Sequence, residues 1–174
     1  MSNIQEAIAT ENEVNTTTVD RAGKYLTFKL GGEEYGLEIL KVREIIGLMD
    51  ITEVPKIPDH FRGIINLRGQ VIPVMELRKK FGMKTTKDTE QTCVIVVEVS
   101  NNKKSVSTGL LVDSVSEVLE ITGDQIENAP SFGTDVDTDY ILGIGKIGDM
   151  VKILLDIDKV LDDDKSVIDG MAKK

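Results

Sequence analysis

The histidine at position 60 is the first residue to consider for catalysis, because imidazole is the commonest general acid or base near neutral pH. It is the only histidine in the 174 residues. Its neighbour Asp59 cannot orient the ring, since adjacent side chains on regular structure point in different directions. No motif marks the distant acid and nucleophile of a triad. The sequence therefore predicts a solvated histidine in the turn 58–61 and no catalytic residue.

Metal-ligating residues are also too few for a recognisable site. One histidine and one cysteine, Cys93, cannot form a structural zinc site. The acidic run 135–139 imitates the start of an EF-hand loop, but Tyr140 stands where glycine is required and Lys146 where a bidentate glutamate is required. Cys93 opens the apolar run 93–97, which predicts a buried and unreactive thiol. We therefore expect no bound metal.

A glycine-rich segment, Gly143–Gly148, spells the G-x-G-x-x-G pattern of dinucleotide sites. Acidic residues 162–164 follow at about the distance of a ribose ligand. In such a site the motif must open a helix, whereas residues 149–155 have the composition of a strand. A nucleotide-binding enzyme that uses this loop is the alternative hypothesis of a different class.

The charge of the chain excludes several kinds of partner. The sequence has 21 Lys and Arg against 30 Asp and Glu, a formal charge of −9, and aromatic residues make up only 4%. This balance argues against nucleic acid and against anionic lipid. No apolar run is long enough to insert into a membrane and the N-terminus has no secretory signal, so we expect a cytoplasmic protein. A local basic cluster (Lys79, Lys80, Lys84 and Lys87) is either a site for an acidic partner or a solvated helix face.

The elements that would position such residues are mostly strands. Alternating apolar residues in 26–30 and the run 42–46 are typical of strands. Residues 64–67 and 71–74 flank Arg68-Gly69-Gln70, which predicts a hairpin tip. Residues 76–81 predict a short helix that ends at Gly82.

An internal repeat organises these elements. Residues 35–45 align without a gap on 108–118, and residues 63–81 align on 143–161. The repeat and the frequent glycine turns predict two similar small β units, arranged as paired barrels that share a core. We expect a flexible acidic tail over 1–22, one domain over 23–161 and a polar tail over 162–174.

The order of several segments resembles the CheW family, the coupling proteins of bacterial chemotaxis. The resemblance covers about four-fifths of the chain, and rests on residues 25–36, 42–45, 51–58, 63–74, 109–122, 129–130 and 153–161. It implies two SH3-like five-stranded β-barrels packed around a shared apolar core, with short helices. It also implies a scaffold without enzymatic activity or cofactor. Its partners would be the regulatory domain of the histidine kinase CheA and the cytoplasmic tips of chemoreceptors, in arrays at the membrane. A CheW-like module of another two-component pathway stays open.

Six positions match family residues implicated in binding the kinase or the receptor: Val42, Glu44, Gly63, Arg68, Val115 and Val118. The resemblance does not divide them between the two partners. The valines equally suit core packing, and Gly63 equally suits a tight backbone turn. Glu44 and Arg68 are the stronger candidates, because a short strand gives no reason to bury an isolated charge and an arginine fork suits a carboxylate partner.

Overall fold

The computed structural model describes residues 21–101, 104–129 and 138–172. The described chain is mostly β, as predicted. Its strands are β1 (Gly23–Leu30), β2 (Glu33–Glu38), β3 (Val42–Gly47), β4 (Phe61–Leu67), β5 (Gln70–Glu76), β6 (Cys93–Asn101), β7 (Lys104–Val112), β8 (Ser114–Ile121), β9 (Ile126–Glu127), β10 (Ile141–Ile147) and β11 (Met150–Leu155). Its helices are α1 (Leu77–Lys80), α2 (Ile157–Leu161) and α3 (Lys165–Ala172). None of these helices is long and apolar enough to cross a membrane.

The strands form two sheets, and each sheet takes strands from both halves of the repeat. The first sheet has the order β8-β1-β2-β11-β10-β9, and the second has the order β3-β6-β7-β5-β4. Two parallel ladders join the halves, β2 with β11 and β5 with β7. The repeat is therefore visible as two sheets of equivalent order, each of which mixes both halves of the chain.

The register of the two sheets follows the repeat residue by residue. Val74 of β5 pairs with Gly109 of β7, and the equivalent Leu154 of β11 pairs with Gly36 of β2. Both glycines are needed for close packing, because a β-carbon would lie 2.8 Å from Leu154 at Gly36 and 2.6 Å from Val94 at Gly109. Residues 143–147 lie in β10, and Gly148 lies in the hairpin turn that follows. The helix that a dinucleotide site requires does not begin at this motif.

Three apolar cores fill the domain. The largest lies between the sheets and includes Phe28 and Leu37 of the first sheet and Leu110 and Val112 of the second. A smaller core lies inside the second sheet around Ile72, and the smallest lies inside the first sheet around Leu154. This arrangement confirms the predicted shared apolar core between two β units. The units are a six-stranded and a five-stranded sheet, where the resemblance implied two five-stranded barrels.

The C-terminal segment differs from the polar tail that the sequence predicts beyond residue 161. Residues Ile168 and Met171 of helix α3 are buried in the shared core. Asp164, just before the helix, is buried with both oxygens paired, to His60 Nε2 at 3.0 Å and to Lys80 Nζ at 2.8 Å. The segment packs because two apolar side chains one turn apart face the sheet, and Asp164 is neutralised by its two partners.

The same contacts correct two expectations in the first half of the chain. His60 is not a solvated turn residue, because its side chain is largely buried against Asp164 and its ring lies tilted against Phe61, with the ring centres 4.9 Å apart. Lys80 does not belong to a solvated helix face, because its ammonium is buried between Asp164 and the ring of Tyr140. The expected N-terminal tail falls almost wholly outside the described residues, as does most of the acidic run 135–139.

Candidate partner-binding surfaces

The tip of the β4–β5 hairpin presents Arg68 to solvent. Arg68 has φ 51° and Gly69 has φ 88°, the backbone of a tight two-residue hairpin turn. The Asn66 side chain accepts a hydrogen bond from the Gly69 amide at 2.8 Å and steadies this turn. The Arg68 side chain is 67% exposed and forms an ion pair with Glu44, which is only 19% exposed. The structure therefore brings together the two charged residues that the sequence favoured.

This ion pair connects the two edge strands of the second sheet. Glu44 lies on β3 at one edge, and Arg68 follows β4 at the other. Arg43, the extra residue of a β-bulge in β3, reaches the same region. It donates to Gln70 Oε1 at 3.1 Å and to Ser107 Oγ at 2.9 Å. Sequence reasoning missed Arg43, because a bulge that turns one side chain across a sheet has no signal in a short apolar run.

Gly63 has a structural role in its place on β4. Its φ is 149°, and a β-carbon would lie 2.1 Å from the carbonyl oxygen of Thr52. Thr52 and Ile64 exchange two backbone hydrogen bonds of 2.8 and 2.9 Å beside it. Only glycine allows this loop to pair so closely with the edge of the sheet. Val42 is likewise buried in the shared core, so neither residue offers a side chain to a partner.

A groove of about 720 Å³ runs between β3 of the second sheet and β8 of the first. Apolar lining comes from Ile45 and Ile46 on one wall, from Val115 on the other and from Cys93. Lys29, Glu90, Ser114 and Ser116 supply polar groups. Burial raises the pKa of the Cys93 thiol, so this residue contributes apolar surface and is not a nucleophile. Val115 thus lines the groove, and Val118 on the same strand is half-buried.

A salt bridge and a backbone hydrogen bond to Asp113 hold the β8 wall of this groove in place. Arg78 Nε of helix α1 donates to Asp113 Oδ1 at 2.7 Å, at the point where β7 passes into β8. The Gly31 amide donates to Asp113 Oδ2 at 2.9 Å. The Arg78 guanidinium is the main reason that the pKa of Asp113 lies below its usual value. The connection between the two sheets is therefore anchored from both sides.

The β10–β11 hairpin presents an apolar surface at the position equivalent to the Arg68 hairpin. Met150 and Val151 are 56% and 51% exposed, and among the described residues they are the two most exposed large apolar side chains. The turn before them has Gly148 at φ 59°. Sequence reasoning missed both residues, although the repeat aligns Val151 on Val71 of the other hairpin. Successive residues of a strand point to opposite faces, so these two side chains add apolar area to both faces of the hairpin tip.

These features define a class of protein. A two-sheet β domain with an exposed arginine, an apolar hairpin tip and an open groove has the surface features of a binding module. The model of the CheW-like domain matches residues 24–165, and the chain belongs to this family.

Curated relatives and a solved structure agree with this assignment. The chain is 38% identical to the chemotaxis protein CheW of Klebsiella aerogenes, over 95% of this chain and 97% of that protein. It is 30% identical to the chemotaxis protein CheW of Bacillus subtilis, over 87% of this chain and 94% of that protein. The crystal structure of the scaffolding protein TtCheW from Thermoanaerobacter tengcongensis matches with a TM-score of 0.70 and 37% identity, over 78% of this chain and 89% of that one. Proteins of the CheW family are scaffold proteins and not enzymes, and the chain is accordingly a scaffold protein of this family.

Proposed function

We propose that this chain couples transmembrane chemoreceptors to the histidine kinase CheA. The observation that carries the proposal is the presence of two chemically different exposed features, the groove and the hairpin tips, in one domain of a chemotaxis scaffold family. A coupling protein needs two surfaces that can be occupied at the same time. The protein would act in the cytoplasm and be recruited to receptor arrays by its partners.

The groove suits the cytoplasmic helical hairpin of a receptor. A helix that docks in a groove buries one apolar stripe and leaves its polar face in water. Ile45 and Val115 on opposite walls would meet the stripe, while Lys29 and Glu90 offer one charge of each sign to flanking polar residues. A volume of about 720 Å³ accommodates several side chains of such a helix.

The β10–β11 hairpin suits the regulatory domain of the kinase. Met150 and Val151 form an apolar tip on a rigid two-stranded element, and exposed aliphatic residues gain most from burial against another folded domain. Arg68 offers a second anchor at the equivalent hairpin, where Glu44 holds the guanidinium in place. Arg68 is proposed to anchor one of the two partners, and separate titrations identify which.

Reciprocal surface variants test the proposal. Ser114→Trp places an indole in the groove and should weaken binding to receptor-bearing membranes at least ten-fold, with kinase binding unchanged. Val151→Asp should weaken binding to the kinase regulatory domain and leave receptor binding unchanged. Glu120→Trp is the matched control for the groove variant, because Glu120 lies exposed on the same strand outside the groove.

The readouts are pull-down with each purified partner and kinase autophosphorylation with receptor-bearing membranes. Wild-type protein should assemble all three components and raise kinase activity. A wild-type protein that binds neither partner would refute the function. Wild-type binding with no selective loss in either surface variant would refute the placement of the two partners.

A further inference from the structure

The interior of the first sheet contains a buried ammonium group. Lys152 of β11 points into this interior beside Leu154, and its side chain is only 7% exposed. The repeat aligns Lys152 on Ile72, which is fully buried in the apolar interior of the second sheet. The two equivalent interiors therefore differ by the substitution of a charge for an aliphatic side chain.

The ammonium is paired with a carboxylate on the neighbouring strand. Lys152 Nζ donates to Glu34 Oε2 on β2, whose side chain is 15% exposed. Glu34 also accepts a hydrogen bond from the Ser116 side chain of β8. The Lys152 ammonium foremost, with the Ser116 hydroxyl, holds the pKa of Glu34 below its usual value, although burial opposes this. Glu34 is thus a carboxylate bound from two strands.

This polar network extends from one proposed binding surface to the other. Ser116 is the extra residue of a β-bulge in β8 and lines the groove. Lys152 directly follows Val151, half of the exposed apolar tip of β10–β11. The contacts Ser116–Glu34–Lys152 therefore connect the groove wall to the hairpin tip through the inside of the sheet.

The second sheet links the equivalent places with different residues. Arg43, the bulge residue of β3, donates to the side chains of Ser107 and Gln70. In the repeat, Ser107 is equivalent to Glu34 and Gln70 is equivalent to Met150. A polar connection from the bulged edge strand to the hairpin is consequently present in both sheets. Its recurrence with unrelated side chains favours a role for the connection itself.

Stability alone gives no reason to bury the pair. Replacing a buried ion pair by apolar side chains of similar size is often neutral or stabilising, whereas separating its two members leaves an unpaired charge in the interior and is strongly unfavourable. Separating Glu34 on β2 from Lys152 on β11 is therefore unfavourable, so a shift of one of these strands favours a matching shift of the other. A contact chain of this kind couples two surfaces when the strands that it links have two discrete arrangements.

We propose that Glu34 and Lys152 are positioning residues that couple occupation of the groove to the presentation of the β10–β11 tip. The proposal rests on the proposed function, since it takes the receptor as the ligand of the groove and the kinase as the ligand of the tip. Binding of one partner then changes the affinity for the other, and by linkage the effect is reciprocal.

The test measures the affinity of the kinase regulatory domain with and without saturating receptor hairpin fragment. For the wild-type protein the two dissociation constants should differ by about five-fold or more. The double variant Glu34→Gln with Lys152→Met preserves side-chain volume and removes both charges. It should bring this ratio close to one while each affinity measured alone stays within about two-fold of wild type. The single variant Ser116→Ala should reduce the ratio in the same direction.

The matched control is the exposed ion pair between β9 and β10 of the same sheet, Lys146 with Glu127 at 2.9 Å. Lys146→Met with Glu127→Gln should leave the ratio at its wild-type value. A wild-type ratio of one, or an unchanged ratio in the Glu34 and Lys152 double variant, would overturn the coupling while leaving the proposed function intact. Failure of the wild-type protein to bind either partner would instead refute the function. If the double variant does not fold, Ser116→Ala decides the question, because an unchanged ratio in that variant also contradicts the proposal.

Discussion

Replacing Arg68 by alanine is expected to weaken partner binding without unfolding the domain. The guanidinium is two-thirds exposed and its ion pair with Glu44 lies at the surface, so its contribution to folding is about 0–1 kcal/mol. Arginine and alanine both carry a β-carbon, so the strain at φ 51° stays the same. The midpoint of thermal unfolding should fall by no more than about 4 °C.

The effect on binding should be much larger than the effect on folding. Truncation of an arginine at the centre of an interface commonly costs about 2 kcal/mol or more, which corresponds to roughly a thirty-fold loss of affinity. Here Glu44 would also be left without its cation beside the partner. We therefore expect Arg68→Ala to weaken assembly with receptor and kinase and to lower receptor-stimulated autophosphorylation.

The assay combines a binding titration to each partner with autophosphorylation in the presence of receptor-bearing membranes. Lys104→Ala is the control, because Lys104 is an exposed cation at the start of β7, outside the tips and the groove. Full activation and unchanged affinities in the Arg68 variant would show that the side chain is merely solvated. Loss of folding would show that the link between the edges of the second sheet holds the domain together.

Four further predictions concern stability. Leu110→Asp places a carboxylate in the shared core at a cost of roughly 5 kcal/mol or more, which is comparable with the stability of the whole domain. This variant should therefore yield insoluble or molten protein. An unchanged melting midpoint would contradict the orientation of the strand that carries Leu110. Thr108→Val should raise the melting midpoint by a few degrees, about 1 kcal/mol, because the buried Thr108 hydroxyl has no hydrogen-bond partner among the described residues. Thr27→Val should lower the melting midpoint, because the equally buried Thr27 hydroxyl makes hydrogen bonds of 2.9 and 3.1 Å with the backbone of Glu117. Equal effects of the Thr108 and Thr27 changes would contradict the difference in hydrogen bonding between the two hydroxyl groups. The ion pair with Arg78 lowers the pKa of Asp113, so the stabilisation that this pair gives the fold should be complete above about pH 4 and lost as the pH falls below that value. In thermal scans, the difference in melting midpoint between wild type and Asp113→Asn should therefore shrink in acid. A difference that stays constant with pH would contradict this role of the ion pair.

Much of the fold could be predicted from the sequence, because local pattern and repetition carry direct geometric meaning. Alternation of apolar residues assigns the two faces of a strand, so the burial of Phe28 follows from the period of two. Gly82 ends the short helix α1 with φ 72°, as its position after the last helical residues indicates. The aligned halves also anticipated the equal registers of the two hairpins.

The candidate site was predicted only in part. The exposed position of Arg68 was predicted, because a polar residue beside glycine between two apolar runs indicates the tip of a hairpin. The apolar tip at Met150 and Val151 was missed, since exposed and buried aliphatic residues in a strand look alike in sequence. Lys152 shows the opposite difficulty, because a lysine in an alternating strand normally indicates the solvent face.

The sequence by itself determined the strands, the turns, the repeat and the membership of the family, since each depends on residues close in the chain or on similarity along it. Only the tertiary structure decided how the halves exchange strands, because the choice between β7 and β2 as the neighbour of a hairpin depends on packing over long sequence separations. Tertiary structure also decided the partners of the buried charges. A buried ionised group requires a specific counter-charge, and the ones that serve Asp164 and Lys152 come from residues about 80 to 120 positions away.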